Sequence, residues 1–121
     1  MSYDYLFFRL KRPISSHIEI GSDTIKDLGS VDYVKKWITE NFPNIVWTSS
    51  GHTIWGVLIL DDVRLEIFLG GAEKTILDSF RVGTSYHEHS LKHIQRIADA
   101  LKLTAFDMQT CDLFSPPATD E

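Results

Sequence analysis

His52-Thr53-Ile54-Trp55-Gly56-Val57-Leu58-Ile59-Leu60-Asp61-Asp62-Val63-Arg64-Leu65-Glu66-Ile67-Phe68-Leu69 is the stretch on which the fold turns. From Ile54 to Leu60 the residues are apolar at both odd and even positions. An edge strand with one face in water would not tolerate that, so a central strand is predicted. Asp61-Asp62 breaks the run. Beyond it Leu65, Ile67 and Leu69 share one face, while Arg64, Glu66 and Phe68 share the other. Two strands joined by so short a break cannot cross over in parallel, so they form an antiparallel hairpin.

Working outward from the hairpin, Ile45 to Thr48 reads as a strand that returns through Ser49-Ser50-Gly51. Val31, Val34, Ile38 and Phe42 have helical spacing, with Ser30 as N-cap and Pro43 as stop. Downstream, Gly70 to Lys74 is a loop and Thr75 to Val82 a strand with Ile76, Asp78, Phe80 and Val82 on one side. Ser85 and Glu88 form a capping box that opens a second helix running to about Leu101. Leu91, Ile94, Ile97, Ala98 and Leu101 make its packing face. Tyr3 to Lys11 alternates as an opening strand, and Thr104 to Thr110 closes the chain around Ala105 and Phe106. Between Arg12 and Ser30 lies a long loop in which Ile18 and Ile20 suggest a brief strand. The order is strand, loop, helix, a meander of about four strands, helix, strand. It predicts an α+β fold: an antiparallel sheet of about five to six strands packed on one face by two helices. Residues 1–115 form a single domain, and 116–121 a frayed, acidic, proline-containing tail.

At 121 residues the chain has room for one core. Its 43% hydrophobic and 24% charged content argues against disorder. A net charge of −5 speaks against direct nucleic-acid binding, which needs clustered Lys and Arg. With one cysteine, Cys111, no intramolecular disulfide can form. A reducing, cytoplasmic setting is expected, with no membrane partner, because no apolar stretch approaches the roughly 20 residues of a spanning helix. The start of the sequence also lacks the pattern of a signal peptide.

No catalytic constellation emerges. His89 and His93 are four apart on the second helix and could share a metal ion. At about 100° per residue, however, His87 falls on the packing face and the other two outside it, so the three cannot converge. His89 and His93 are expected in water, with no metal or cofactor. Cys111 has no histidine near in sequence, and Gly70-Gly71 lacks a phosphate-cradling pattern. Asp78 shares the parity of buried residues, and a slip at a bulge would return it to water. What remains is a distributed partner-binding set: Asp61, Asp62, Glu66 and Glu73 around Trp55 and Phe68. Such acids steer a basic partner while the aromatics anchor it. Two other arrangements are open. A small-molecule or enzyme pocket would lie between the sheet and the 12–30 loop, lined by Trp47, Trp55, His52 and Asp78. A structural subunit would expose Tyr5, Phe7 and Trp37 as a permanent interface.

The opening Met1-Ser2-Tyr3-Asp4-Tyr5-Leu6-Phe7-Phe8, the segment Asn41-Phe42-Pro43 and the ending Ala105-Phe106-Asp107-Met108-Gln109-Thr110 together resemble small bacterial immunity proteins that protect a cell from a polymorphic toxin. Where related sequences place a glycine after the Gln-Thr pair, this chain has Cys111. The resemblance implies a non-enzymatic inhibitor that binds a cognate toxin domain and occludes its active cleft without a cofactor. For a nuclease toxin with a basic groove, the net negative charge would speed and select the encounter.

Overall fold

The computed structural model describes residues 3–12, 14, 17–21, 23–51, 53–70, 75–85 and 87–114. Strand β1 (Tyr3–Leu10) is followed by a 3-10 turn at His17–Glu19, then β2 (Ile25–Lys26), β3 (Gly29–Ser30) and helix α1 (Val31–Asn41). The meander is β4 (Val46–Ser50), β5 (Thr53–Leu60), β6 (Val63–Phe68), β7 (Ile76–Leu77) and β8 (Ser79–Thr84). Helix α2 (His87–Leu101), β9 (Thr104–Asp107) and β10 (Leu113–Phe114) complete it. One antiparallel sheet runs in the order β10-β9-β1-β8-β6-β5-β4, with β2 against the end of β1, and β3 pairs separately with β7. The fold is therefore the α+β arrangement predicted. The six longer strands β1, β4, β5, β6, β8 and β9 are extended by the two-residue β2 and β10.

Alternation sets which residues share the core face. Tyr5 and Phe7 of β1, Ile54 and Leu58 of β5, Leu65 and Ile67 of β6 and Phe80 and Val82 of β8 point to one side. There they join Val31, Val34 and Ile38 of α1 and Ile94, Ile97 and Leu101 of α2 in one buried cluster. Each such side chain withdrawn from water contributes about 1.5–3 kcal/mol before entropy is counted. Tyr5 and Phe7 are fully buried, so they form no exposed subunit interface. Helix α1 begins where predicted: the Ser30 hydroxyl accepts the Tyr33 N–H at 3.2 Å. It ends with Phe42 N–H on Ile38 C=O at 2.8 Å, just before Pro43. The Trp47 indole reaches back to it and donates to Thr39 Oγ1 at 2.8 Å.

Gly56 makes that last contact possible. A β-carbon there would lie 2.7 Å from Ile45 Cδ1 and 2.9 Å from Trp47 Cε3. Gly56→Ala should therefore destabilise the fold by about 1–3 kcal/mol through overpacking. Urea denaturation would check this, and a neutral result would mean that Ile45 and Trp47 can move aside.

Four local predictions change, the first being that β4 runs on through Ser49 and Ser50, which were expected in the turn. The strand expected over 75–82 is broken at Asp78, because the chain leaves β3 and joins β6. Parity slips there, and Asp78 is exposed, accepting a bond from Ser79 Oγ at 3.1 Å. Ile18 belongs to the 3-10 turn and is 82% exposed rather than part of a strand. The loop around it is instead held by Thr24, whose hydroxyl bonds the Glu19 and Gly21 carbonyls at 2.8 and 2.9 Å. The closing strand stops at Asp107, whose carboxylate accepts the Gln109 and Thr110 N–H groups at 2.9 and 3.3 Å. Cys111 then takes φ +65° and bonds Asp107 C=O at 2.8 Å. The left-handed turn that a glycine would make easily is thus made here by cysteine.

Candidate functional site

The face of the sheet opposite the helices carries its own apolar row. Thr48 faces Trp55, Trp55 faces Phe68, Phe68 faces Arg81, Arg81 faces Leu6, Leu6 faces Phe106 and Phe106 faces Leu113. At strand spacing, Trp55 and Leu113 stand about 25 Å apart along it. A second row sets Val46 against Val57 and Val57 against Glu66, and Ile59 sits across from Arg64. Toward β1 this face closes, with Phe8 fully buried; toward β4 it opens, with Val46 65% and Ile59 55% exposed. The apolar odd positions of β5, predicted to be covered, thus face outward on a strand next to the edge.

Charge frames the open part. The Arg81 guanidinium sits 4.5 Å from the Phe68 ring centre, a cation–π contact that shields one side of the ring. Arg64 and Glu66 pair at 3.1 Å on the surface. Of the predicted partner-binding residues, Trp55, Phe68 and Glu66 therefore come together. Asp61 and Asp62 do not join them. They form the two-residue hairpin turn between β5 and β6, with φ +50° and +66°, the left-handed pair that a tight hairpin requires and that Asp tolerates. Asp61 leans to the helix side, its Oδ2 3.8 Å from His93 Nε2. Glu73 lies outside the described residues, as do His52, the 116–121 tail and the side chains of Glu88 and His89. Sequence reasoning missed Val46, Val57 and Ile59; the parity that Val57 and Ile59 share with Trp55 was the signal, whereas Val46 joins them only through the β4–β5 register.

His93 departs furthest from expectation. It is 2% exposed, not solvated, because α2 lies close enough to the sheet for the hairpin tip to cover it. Burial lowers its pKa below the ordinary 6.5, outweighing the opposing pull of Asp61, while Lys92 and Arg96 push the same way as burial. The folded state thus binds fewer protons than the unfolded one. Stability is full above about pH 6.5 and falls as pH drops toward the native-state value. Unfolding free energies measured between pH 7 and 5 should decline, and His93→Gln should flatten that decline. Equal slopes for the two proteins would refute this. Burial likewise pushes the Tyr5 phenol up to about 12, against the smaller lowering effect of the Ser90 side chain.

For chemistry the outer face offers little beyond contact. No histidine or cysteine lies in its long row, and no group of three metal-ligating side chains occurs among the described residues. Trp47 and Trp55 project from opposite faces, so they do not line one pocket with Asp78, which stands at an exposed bend. No helix among the described residues is long and apolar enough to cross a membrane. Comparison with protein-family models, curated proteins and solved structures gives no match.

Proposed function

We propose that this chain is a non-catalytic protein-binding module that seats its partner on the outer face of β4, β5 and β6. The observation that carries the reading is the row of Trp55 and Phe68 flanked by Val46, Val57 and Ile59. These apolar side chains sit on the face away from the core, framed by Arg64, Glu66 and Arg81. Aromatic anchors ringed by polar groups are the usual composition of a protein-binding patch. Joined to the resemblance in its opening and closing strands, this patch supports reading the chain as an immunity protein. It binds a cognate bacterial toxin domain one to one in the cytoplasm and occludes its active cleft, without cofactor, metal, membrane or nucleic acid. A basic nuclease is the toxin that a net charge of −5 suits best.

The experiment is affinity capture of the tagged chain, followed by growth of cells expressing the captured protein with and without it. A one-to-one partner that is toxic only in the absence of this chain would support the reading. A partner whose binding ignores both ionic strength and reversal of Asp61, Asp62, Glu66 and Glu73 would remove the electrostatic part. A retained metabolite with no protein partner would overturn the whole.

A further inference from the structure

The edge of the sheet carries a second surface. Across the β5–β6 pair, Leu69 N–H donates to Ile54 C=O at 2.9 Å. The even-numbered residues of β5 therefore turn their backbone groups toward β6, and Thr53, Trp55, Val57 and Ile59 turn theirs toward β4. In agreement, the Asn44 side-chain amide takes the Ile59 carbonyl at 3.2 Å. On β4, Val46, Thr48 and Ser50 stand opposite Val57, Trp55 and Thr53. Those three use their N–H and C=O groups inside the sheet, which leaves the N–H and C=O of Trp47 and Ser49 directed away from it. Among the described residues no strand lies beyond β4. Nothing in Val46-Trp47-Thr48-Ser49-Ser50 guards the edge: it has neither charge nor proline, and all but Trp47 are exposed.

We infer that β4 pairs antiparallel with β4 of a second copy of this chain, about a two-fold axis through Thr48. In that register Trp47 and Ser49 of one copy exchange N–H···O=C bonds with Ser49 and Trp47 of the other, so four backbone hydrogen bonds use every free group on both edges. Other axes do worse. Centring on Trp47 sets Ser49 against Ile45, whose N–H is already committed to Phe42 C=O at 3.1 Å. Centring on Ser49 sets Trp47 against Gly51, which lies in the turn. The Thr48 axis also brings no like charges together, and it places two threonines in the close, non-hydrogen-bonded position, a favourable cross-strand pair. The outer faces of the two copies then join side by side into one surface. The pairing follows from the backbone of β4 alone and does not depend on the toxin-binding reading.

Sedimentation velocity on the full chain should show a concentration-dependent species at twice 13.8 kDa. Ser49→Pro removes an outward N–H that the sheet does not use. It should raise the dimer dissociation constant by about 10- to 100-fold by deleting two of the four bonds. Thr48→Cys, made with Cys111→Ser, should cross-link on oxidation, because Cα atoms about 4.5 Å apart lie within disulfide reach. A cross-linked dimer supports the pairing even if Ser49→Pro proves unstable. A protein that stays monomeric at every concentration, or a dimer that Thr48→Cys fails to cross-link, overturns it.

Discussion

Phe7→Ala should lower the unfolding free energy by about 3–5 kcal/mol, the range for an aromatic side chain deleted from a well-packed interior. Phe7 is fully buried on the helix side of β1. Its ring stacks on Phe80 of the neighbouring strand, with centroids 5.3 Å apart and planes 2° from parallel. The substitution loses the transfer free energy of the ring and leaves a cavity that two flanking strands cannot close. For a domain of this size the midpoint of thermal unfolding should drop by roughly 10–20 °C. Since such domains are stable by only about 5–15 kcal/mol, partial unfolding at physiological temperature is expected. Calorimetry would measure it, and a loss under about 1 kcal/mol would mean that the Phe7–Phe80 stack is not part of the packed core.

Phe68→Ala, one face away, should behave in the opposite way. Phe68 and Trp55 are half-buried neighbours on the outer face, so truncating either should change stability by no more than about 1 kcal/mol. If that face seats the partner, each truncation should weaken the complex by about 30-fold or more, the effect of losing an aromatic anchor worth at least 2 kcal/mol. Isothermal titration of the captured partner against the two variants would read this, with circular dichroism confirming the fold. Reversal of Asp61 should do much less, because its carboxylate lies on the helix side beside His93. Unchanged affinity in both aromatic variants would move the binding surface elsewhere on the molecule.

These two phenylalanines differ by a parity that the sequence shows but cannot orient. Alternation over Leu65–Leu69 assigned Phe68 to the side of Arg64 and Glu66, and that assignment holds. In β1, Tyr5, Phe7 and Arg9 alternate with Leu6, Phe8 and Leu10, and both sets carry aromatics, so the pattern gives no inner side. Pairing with Phe80 and Val82 decides it. The same ambiguity made β5 look covered on both faces. A strand with apolar residues at every position is equally the sign of a buried strand and of one that holds an apolar docking face outward.

The residues alone determined the elements whose causes are local: the N-cap at Ser30, the stop before Pro43, the hairpin broken at Asp61-Asp62, the packing face of α2 and the α+β class that follows from their order. Each depends on neighbours a few positions away, and short-range backbone chemistry is written directly in the chain. Tertiary structure alone decided which sheet face the helices cover, that His93 is buried beside the hairpin tip, that Asp61 parts from Glu66, and that β4 is the last strand of the sheet among the described residues, with the backbone of Trp47 and Ser49 turned outward. Those outcomes depend on which strands become neighbours. That choice is made by the summed burial of side chains distant in sequence, and no local pattern encodes it.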